Sequence, residues 1–124
     1  MAKKILIVED DLSIQKALAE ELKNEGFTIS TASDGKEGLI VAKKEHPDLI
    51  LLDILLPTMS GIEMLKELRK DDWGKDASVI LLTNLSAEEN LGKTEGLGII
   101  EYLVKTDWSI FDVVKKIKEK LNIK

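Results

Sequence analysis

The chain has no cysteine, which excludes a disulfide, a thiolate nucleophile and a zinc site of the cysteine type, and leaves no thiol for redox chemistry. It has only two prolines and no linker-like stretch, so residues 1–124 are expected to form one domain, long enough to bury a proper core. No apolar run approaches the roughly 20 residues of a membrane span. The basic start, MAKK, precedes an apolar segment, ILIV, of about four residues, well short of the roughly 7 to 15 in a signal peptide. A cytoplasmic location is therefore expected. Basic residues are outnumbered, and the net charge of -5 argues against direct nucleic-acid binding, which depends on basic patches facing phosphates.

What the chain does have is a series of short apolar runs separated by helical patterns. Residues Leu49 to Leu52 form an unbroken apolar run, followed by Asp53, three more apolar residues and Pro57. Such a run suggests a strand buried on both faces, with Asp53 at its carboxyl end. Lys4 to Val8 is a similar strand that ends in Glu9, Asp10 and Asp11. A helix follows over 12–25, with Ile14, Ala17, Leu18 and Leu22 facing inward and Gly26 as its stop. Phe27 to Ala32 is a second strand. Asp34 with Glu37, and later Ser60 with Glu63, have the spacing of capping boxes opening two further helices, the first ending before Pro47 and the second near Asp71 to Gly74. Ser78 to Leu82 is a fourth strand ending at Thr83, and Ser86 with Glu89 predicts a short helix. Ile99 to Val104 is the fifth strand, ending at Lys105. The last helix runs from about Trp108 to Leu121 with an inward stripe of Ile110, Val113, Val114, Ile117 and Leu121. His46, the single histidine, is expected at the surface.

Strict alternation of strands and helices predicts an α/β fold: a doubly wound, five-stranded parallel sheet covered by helices on both faces. All strands then point the same way. Glu9 and Asp10, Asp53, Thr83 and Lys105 arrive together at the carboxyl edge, where open α/β sheets place their ligands. Each residue also has a plainer role available. Asp53 could cap a turn, Glu9 to Asp11 could be a solvated helix start, Thr83 could be an ordinary strand residue and Lys105 a solvated loop residue. Together those plainer roles require four coincidences at one edge. Three converging carboxylates need a cation unless one is protonated, and oxygen-only ligands suit Mg2+, for which Mn2+ could substitute. A carboxylate beside such an ion is placed to act as nucleophile toward a phosphoryl group. Asp53 is the expected nucleophile, Lys105 its cationic partner, and Thr83 a hydroxyl within reach of a phosphoryl oxygen.

The residues ILIVEDD (Glu9, Asp10), LILLDILLP (Asp53), VILLT (Thr83) and YLVK (Lys105) resemble, over essentially the whole chain, a stand-alone receiver domain of two-component response regulators. That resemblance implies the flavodoxin-like (βα)5 fold with strand order 2-1-3-4-5. It implies that Asp53 is the phosphoacceptor and that Asp10, Asp53 and the backbone carbonyl of Leu55 bind Mg2+ directly, with Glu9 acting through water. A histidine kinase or phosphotransfer protein would be the donor. Thr83 and Tyr102 would form the switch that reshapes the face of the fourth helix, fifth strand and fifth helix, creating a surface for dimerisation or for a downstream protein. The protein would then be a signalling switch that catalyses its own phosphorylation and dephosphorylation, not a turnover enzyme.

Some positions depart from the family pattern. Thr106 follows Lys105 where proline is usual, so a trans peptide is expected there. Asn84 replaces a small residue, and Leu55 and Leu85 place apolar bulk beside the site, where they are expected to impede attacking water. Trp108, Ile110 and Phe111 are expected as core and rim packing ahead of direct partner contact. Three other functions compete with the receiver reading. A pseudo-receiver used only for docking would lack the chemical residues, which are intact here. An aspartyl-nucleophile phosphohydrolase would want a second acid two residues after Asp53, where Leu55 stands. A nucleotide-binding flavodoxin relative would want glycines after the first strand, where EDDLS is acidic.

Overall fold

The computed structural model describes residues 2–86 and 92–122. Its strands are β1 (Lys4–Val8), β2 (Thr28–Ala32), β3 (Leu49–Leu52), β4 (Val79–Thr83) and β5 (Glu101–Val104). Its helices are α1 (Leu12–Asn24), α2 (Gly35–Glu45), α3 (Gly61–Arg69), a segment α4 of which residues 92–94 are helical, and α5 (Ile110–Lys120). The strands are parallel in the order β2-β1-β3-β4-β5, as expected.

The apolar runs explain the layers. Side chains alternate across a strand, so Ile5, Ile7, Leu49, Leu51, Ile80 and Leu82 pack on one face with Leu18 and Leu22 of α1 and Val113, Val114 and Ile117 of α5. Leu6, Val8, Ile50, Leu52, Val79 and Leu81 pack on the other with Ala42 of α2 and Met64, Leu65 and Leu68 of α3. Both faces of the central strands are thus dry, and the strand ends are held in fixed register.

The helix starts follow local chemistry. Asp34 accepts the N–H of Glu37, and Ser60 accepts that of Glu63, each satisfying a donor left open at a helix N-terminus. Gly26, at φ 96, ends α1 in the left-handed conformation that glycine adopts without a Cβ clash. At the far end of the sheet, the Arg69 guanidinium donates to the carbonyls of Gly74, Ala77, Leu97 and Gly98, fastening the entries to β4 and β5. His46 is exposed at the end of α2, stacked on Trp73 with centroids 4.5 Å apart.

Some boundaries and one packing expectation differ. Phe27 precedes β2, because its N–H is spent on the carbonyl of Leu22 in the α1 stop. Ile99 lies before β5. Trp108 does not begin α5: Lys105–Asp107 form a 3-10 turn, Trp108 is extended, and Ser109 caps the helix by accepting the N–H of Asp112. Phe111 is not packed but 73% exposed. The Ser86 and Glu89 pair reaches into residues that lie outside the described ones.

Burial on α1 gives a direct test. Leu22 is fully enclosed and Leu12 is 60% exposed. Leu22→Ala is expected to cost about 2–5 kcal/mol and Leu12→Ala no more than about 0.5 kcal/mol, measured by urea unfolding. Similar losses for both would contradict the inward face assigned to α1.

Candidate functional site

Asp53 follows the last residue of β3, and its N–H still donates to the carbonyl of Val8 at 3.1 Å, so the carboxylate leaves a backbone that the sheet holds in place. Leu52 and Ile54 on either side are buried, and Asp53 itself is only 5% exposed. Gly61 seals the position from behind: its N–H donates to the carbonyl of Ile54 at 2.8 Å, and a Cβ there would run into the Asp53 carbonyl oxygen. Sheet geometry brings Glu9 alongside from the end of β1. One carboxylate oxygen each from Glu9, Asp10 and Asp53 lies within 4.8 Å of the others.

Lys105 arrives from the end of β5 and bridges two of these acids. Its Nζ donates to Asp53 Oδ2 at 2.8 Å and lies 2.5 Å from Glu9 Oε1. The remaining oxygens take backbone donors: Asp53 Oδ1 accepts the N–H of Leu55 at 3.2 Å, and Glu9 Oε2 accepts that of Asp11 at 3.1 Å. Asp11 stands apart from the cluster as the cap of α1, accepting the N–H groups of Ser13 and Ile14.

Burial pushes the Glu9 carboxyl above its usual range, against the opposing pull of Lys105 and the Asp11 N–H. For Lys105, burial pulls the ammonium down, but hydrogen bonds to Asp53 and Glu9 outweigh it and the net shift is upward. The ammonium is therefore firmly charged. One cation against three carboxylates leaves the cluster short of positive charge, and the donors are all oxygen. This set fits a hard divalent ion such as Mg2+. Asp10 is exposed and gives the cluster an open side.

Thr83 ends β4 fully buried, directly beside Val104 of β5. Its Oγ1 accepts the N–H of Leu85 over a long 3.4 Å. The Tyr102 hydroxyl donates to the carbonyl of the same Leu85 at 3.0 Å. The two expected switch residues thus hold opposite ends of the Leu85 residue. Among the described residues no hydrogen bond joins Thr83 to Asp53. Leu55 is 57% exposed at the rim, Leu85 is half-buried and Asn84 is exposed. The Lys105–Thr106 peptide is trans.

Gln15 was not anticipated from sequence. Buried on α1, it donates to the carbonyls of Glu9 and Ala32 at 2.9 and 3.2 Å and contacts Ser33 Oγ at 3.3 Å, fixing the backbone of the Glu9 turn. A signal was present: Gln15 sits on the inward stripe one turn before Leu18, where a polar residue must find partners.

Comparison with known proteins gives consistent findings. The family model described as response regulator receiver domain matches residues 5–118. The alkaline phosphatase synthesis transcriptional regulatory protein PhoP of Bacillus subtilis (strain 168) is 41% identical over 107 residues, covering 85% of this chain and 43% of that protein. The chain spans about two fifths of the length of the curated relatives it matches. Among solved structures, a receiver domain protein (CheY-like) from Methanospirillum hungatei JF-1 is 34% identical, with a TM-score of 0.89 over 98% of this chain and 95% of that one. A chain of the CheX-CheY complex with BeF3 and Mg2+ from Borrelia burgdorferi is 30% identical, with a TM-score of 0.85 over 96% of this chain and 89% of that one.

The charge balance is testable without any ligand. Lys105→Met leaves two buried carboxylates unpaired and is expected to cost about 3–5 kcal/mol at neutral pH. The penalty should shrink as pH falls, because Glu9, with its raised pKa, takes up a proton early and one of the two unpaired charges disappears. Urea unfolding of both proteins at neutral and mildly acidic pH checks this; an equal penalty at both would contradict it.

Proposed function

The chain belongs to the response regulator receiver domain family, and from that premise we propose that it is a phosphoacceptor switch that receives a phosphoryl group on Asp53. Receiver domains of response regulators are signalling proteins and not turnover enzymes. The observation that carries the reading is the Lys105 ammonium shared between Asp53 and Glu9 inside a three-carboxylate cluster. A phosphohistidine of a histidine kinase or phosphotransfer protein is the proposed donor. An Asp53 carboxylate oxygen attacks phosphorus, the P–N bond breaks, and the imidazole leaves with the electron pair and takes a proton. The product is an acyl phosphate on Asp53.

Asp10, Asp53 and the Leu55 carbonyl are the proposed direct ligands of Mg2+, with Glu9 acting through water and Mn2+ able to replace the ion. When bound, the ion neutralises negative charge as the phosphoryl group approaches the acids. The chain's own groups do the rest. Lys105 passes from Asp53 Oδ2 to a phosphoryl oxygen. Thr83, whose contact to the Leu85 N–H is long, turns its hydroxyl to the phosphoryl group. Leu85 then moves, and the Tyr102 hydroxyl loses its acceptor there. The α4-β5-α5 face changes shape as a result, for a homodimer or a downstream protein.

Residues 1–124 act in this reading as one receiver unit in the cytoplasm. Several relatives are transcriptional regulators, and this chain matches less than half of their length. The net charge of -5 supports output from these residues through protein contact and not through direct nucleic-acid binding.

With Mg2+ and acetyl phosphate, intact mass should show one phosphoryl group on the wild type, none on Asp53→Asn, and none on the wild type after chelation of the metal. Equal gain by Asp53→Asn would overturn the assignment. Leu55 at the rim is proposed to slow attacking water, so Leu55→Asn should shorten the phosphoryl lifetime several-fold, followed by loss of the added mass over time. A longer lifetime in Leu55→Asn would refute that role.

A further inference from the structure

The loop between β3 and α3 carries Leu55, and one residue in it is unusual. Thr58 has φ 64, a left-handed conformation that β-branched residues rarely adopt. Its surroundings hold it there. Thr58 Oγ1 donates to Asp34 Oδ1 at 3.0 Å and accepts the N–H of Lys36 at 3.4 Å, while the N–H of Gly35 donates to the carbonyl of Pro57 at 3.3 Å. Asp34 Oδ1 also accepts the N–H of Glu37 at 2.8 Å, so the same oxygen that caps α2 anchors the loop. Hydrogen bonds to that N–H and to Thr58 keep the Asp34 carboxyl below its usual range, and it remains an acceptor throughout the neutral range.

We propose that Asp34 and Thr58 form a strap that sets the divalent-cation affinity of the site by fixing the loop in which the Leu55 peptide lies against Asp53. The pair are positioning residues. They rest on the reading of Asp53 and its neighbouring acids as a metal-dependent phosphoacceptor site. Capping alone does not account for the arrangement, because Asp34 caps α2 without Thr58, and what the Thr58 hydroxyl adds is a link across 24 residues of sequence. The β2–α2 turn serves the opposite side of the cluster as well, since Ser33 receives Gln15, which holds the carbonyl of Glu9. One turn thus holds the backbone on both sides of the acids. A loop pinned before the ion arrives loses less conformational freedom on binding it, which raises affinity.

The test compares Mg2+ affinity by calorimetry, and amide exchange over residues 55–59 in metal-free protein, for wild type, Thr58→Val, Thr58→Ser, Asp34→Ala and the double variant Asp34→Ala/Thr58→Val. Loss of the Asp34–Thr58 hydrogen bond, which both variants share, predicts about three- to tenfold weaker Mg2+ binding and faster loop exchange in Thr58→Val and Asp34→Ala. Thr58→Ser, which keeps the hydroxyl, should stay near wild type. The double variant should be no weaker than the weaker single one, as a shared interaction requires. Thr58→Val with wild-type Mg2+ affinity, or effects that multiply in the double variant, would overturn the strap while leaving the phosphoacceptor reading intact. Should Asp34→Ala fail to fold, Thr58→Val against Thr58→Ser decides alone. A wild type that binds no Mg2+ and gains no phosphoryl group would overturn the phosphoacceptor reading and the strap with it.

Discussion

One ammonium joins three strands at this site. Lys105 leaves β5, reaches past β4 and meets both Asp53 after β3 and Glu9 after β1. Desolvation alone would disfavour an ammonium in such surroundings. The acids hold its charge in place, and it in turn lets two buried carboxylates lie side by side. The third, Asp10, stays exposed and leaves the cluster an open, negative side. This incomplete neutralisation leaves a net negative cluster of oxygen donors, the chemistry that suits a hard divalent cation.

The rest of the fold divides into parts that cannot move and parts that can. Two dry layers clamp the sheet between α1 and α5 on one face and α2 and α3 on the other, so the carboxyl ends of β1 and β3 are set by packing on both sides. Among the described residues, the peptide groups around Leu85 meet a long contact to Thr83 and the hydroxyl of half-buried Tyr102, which also reaches the Ser86 carbonyl.

Much of this was legible in the sequence because it depends on neighbours along the chain. Unbroken apolar runs marked β1, β3 and β4 within about one residue, and strict alternation with helices gave the parallel, doubly wound sheet. The caps at Asp34 and Ser60 were readable because cap and partner are three residues apart. The strand ends then named Glu9, Asp10, Asp53, Thr83 and Lys105, and the first two, Asp53 and Lys105 meet in space. Phe111 shows where pattern reading fails: an aromatic at the start of an amphipathic helix reads as packing, yet it is largely exposed, with no layer over its side of α5 among the described residues.

What the sequence determined alone was the set of residues at the carboxyl edge, because a parallel sheet sends every strand end to one side. The tertiary structure decided how they are joined. That Lys105 pairs with both Glu9 and Asp53, that Thr83 and Tyr102 share Leu85, and that Gln15 and Thr58 brace the acids from two sides are contacts between segments far apart in the chain. Such contacts depend on side-chain direction and on which polar groups burial leaves in need of a partner. Neither is written in local spacing; both are fixed only when the layers close over the sheet.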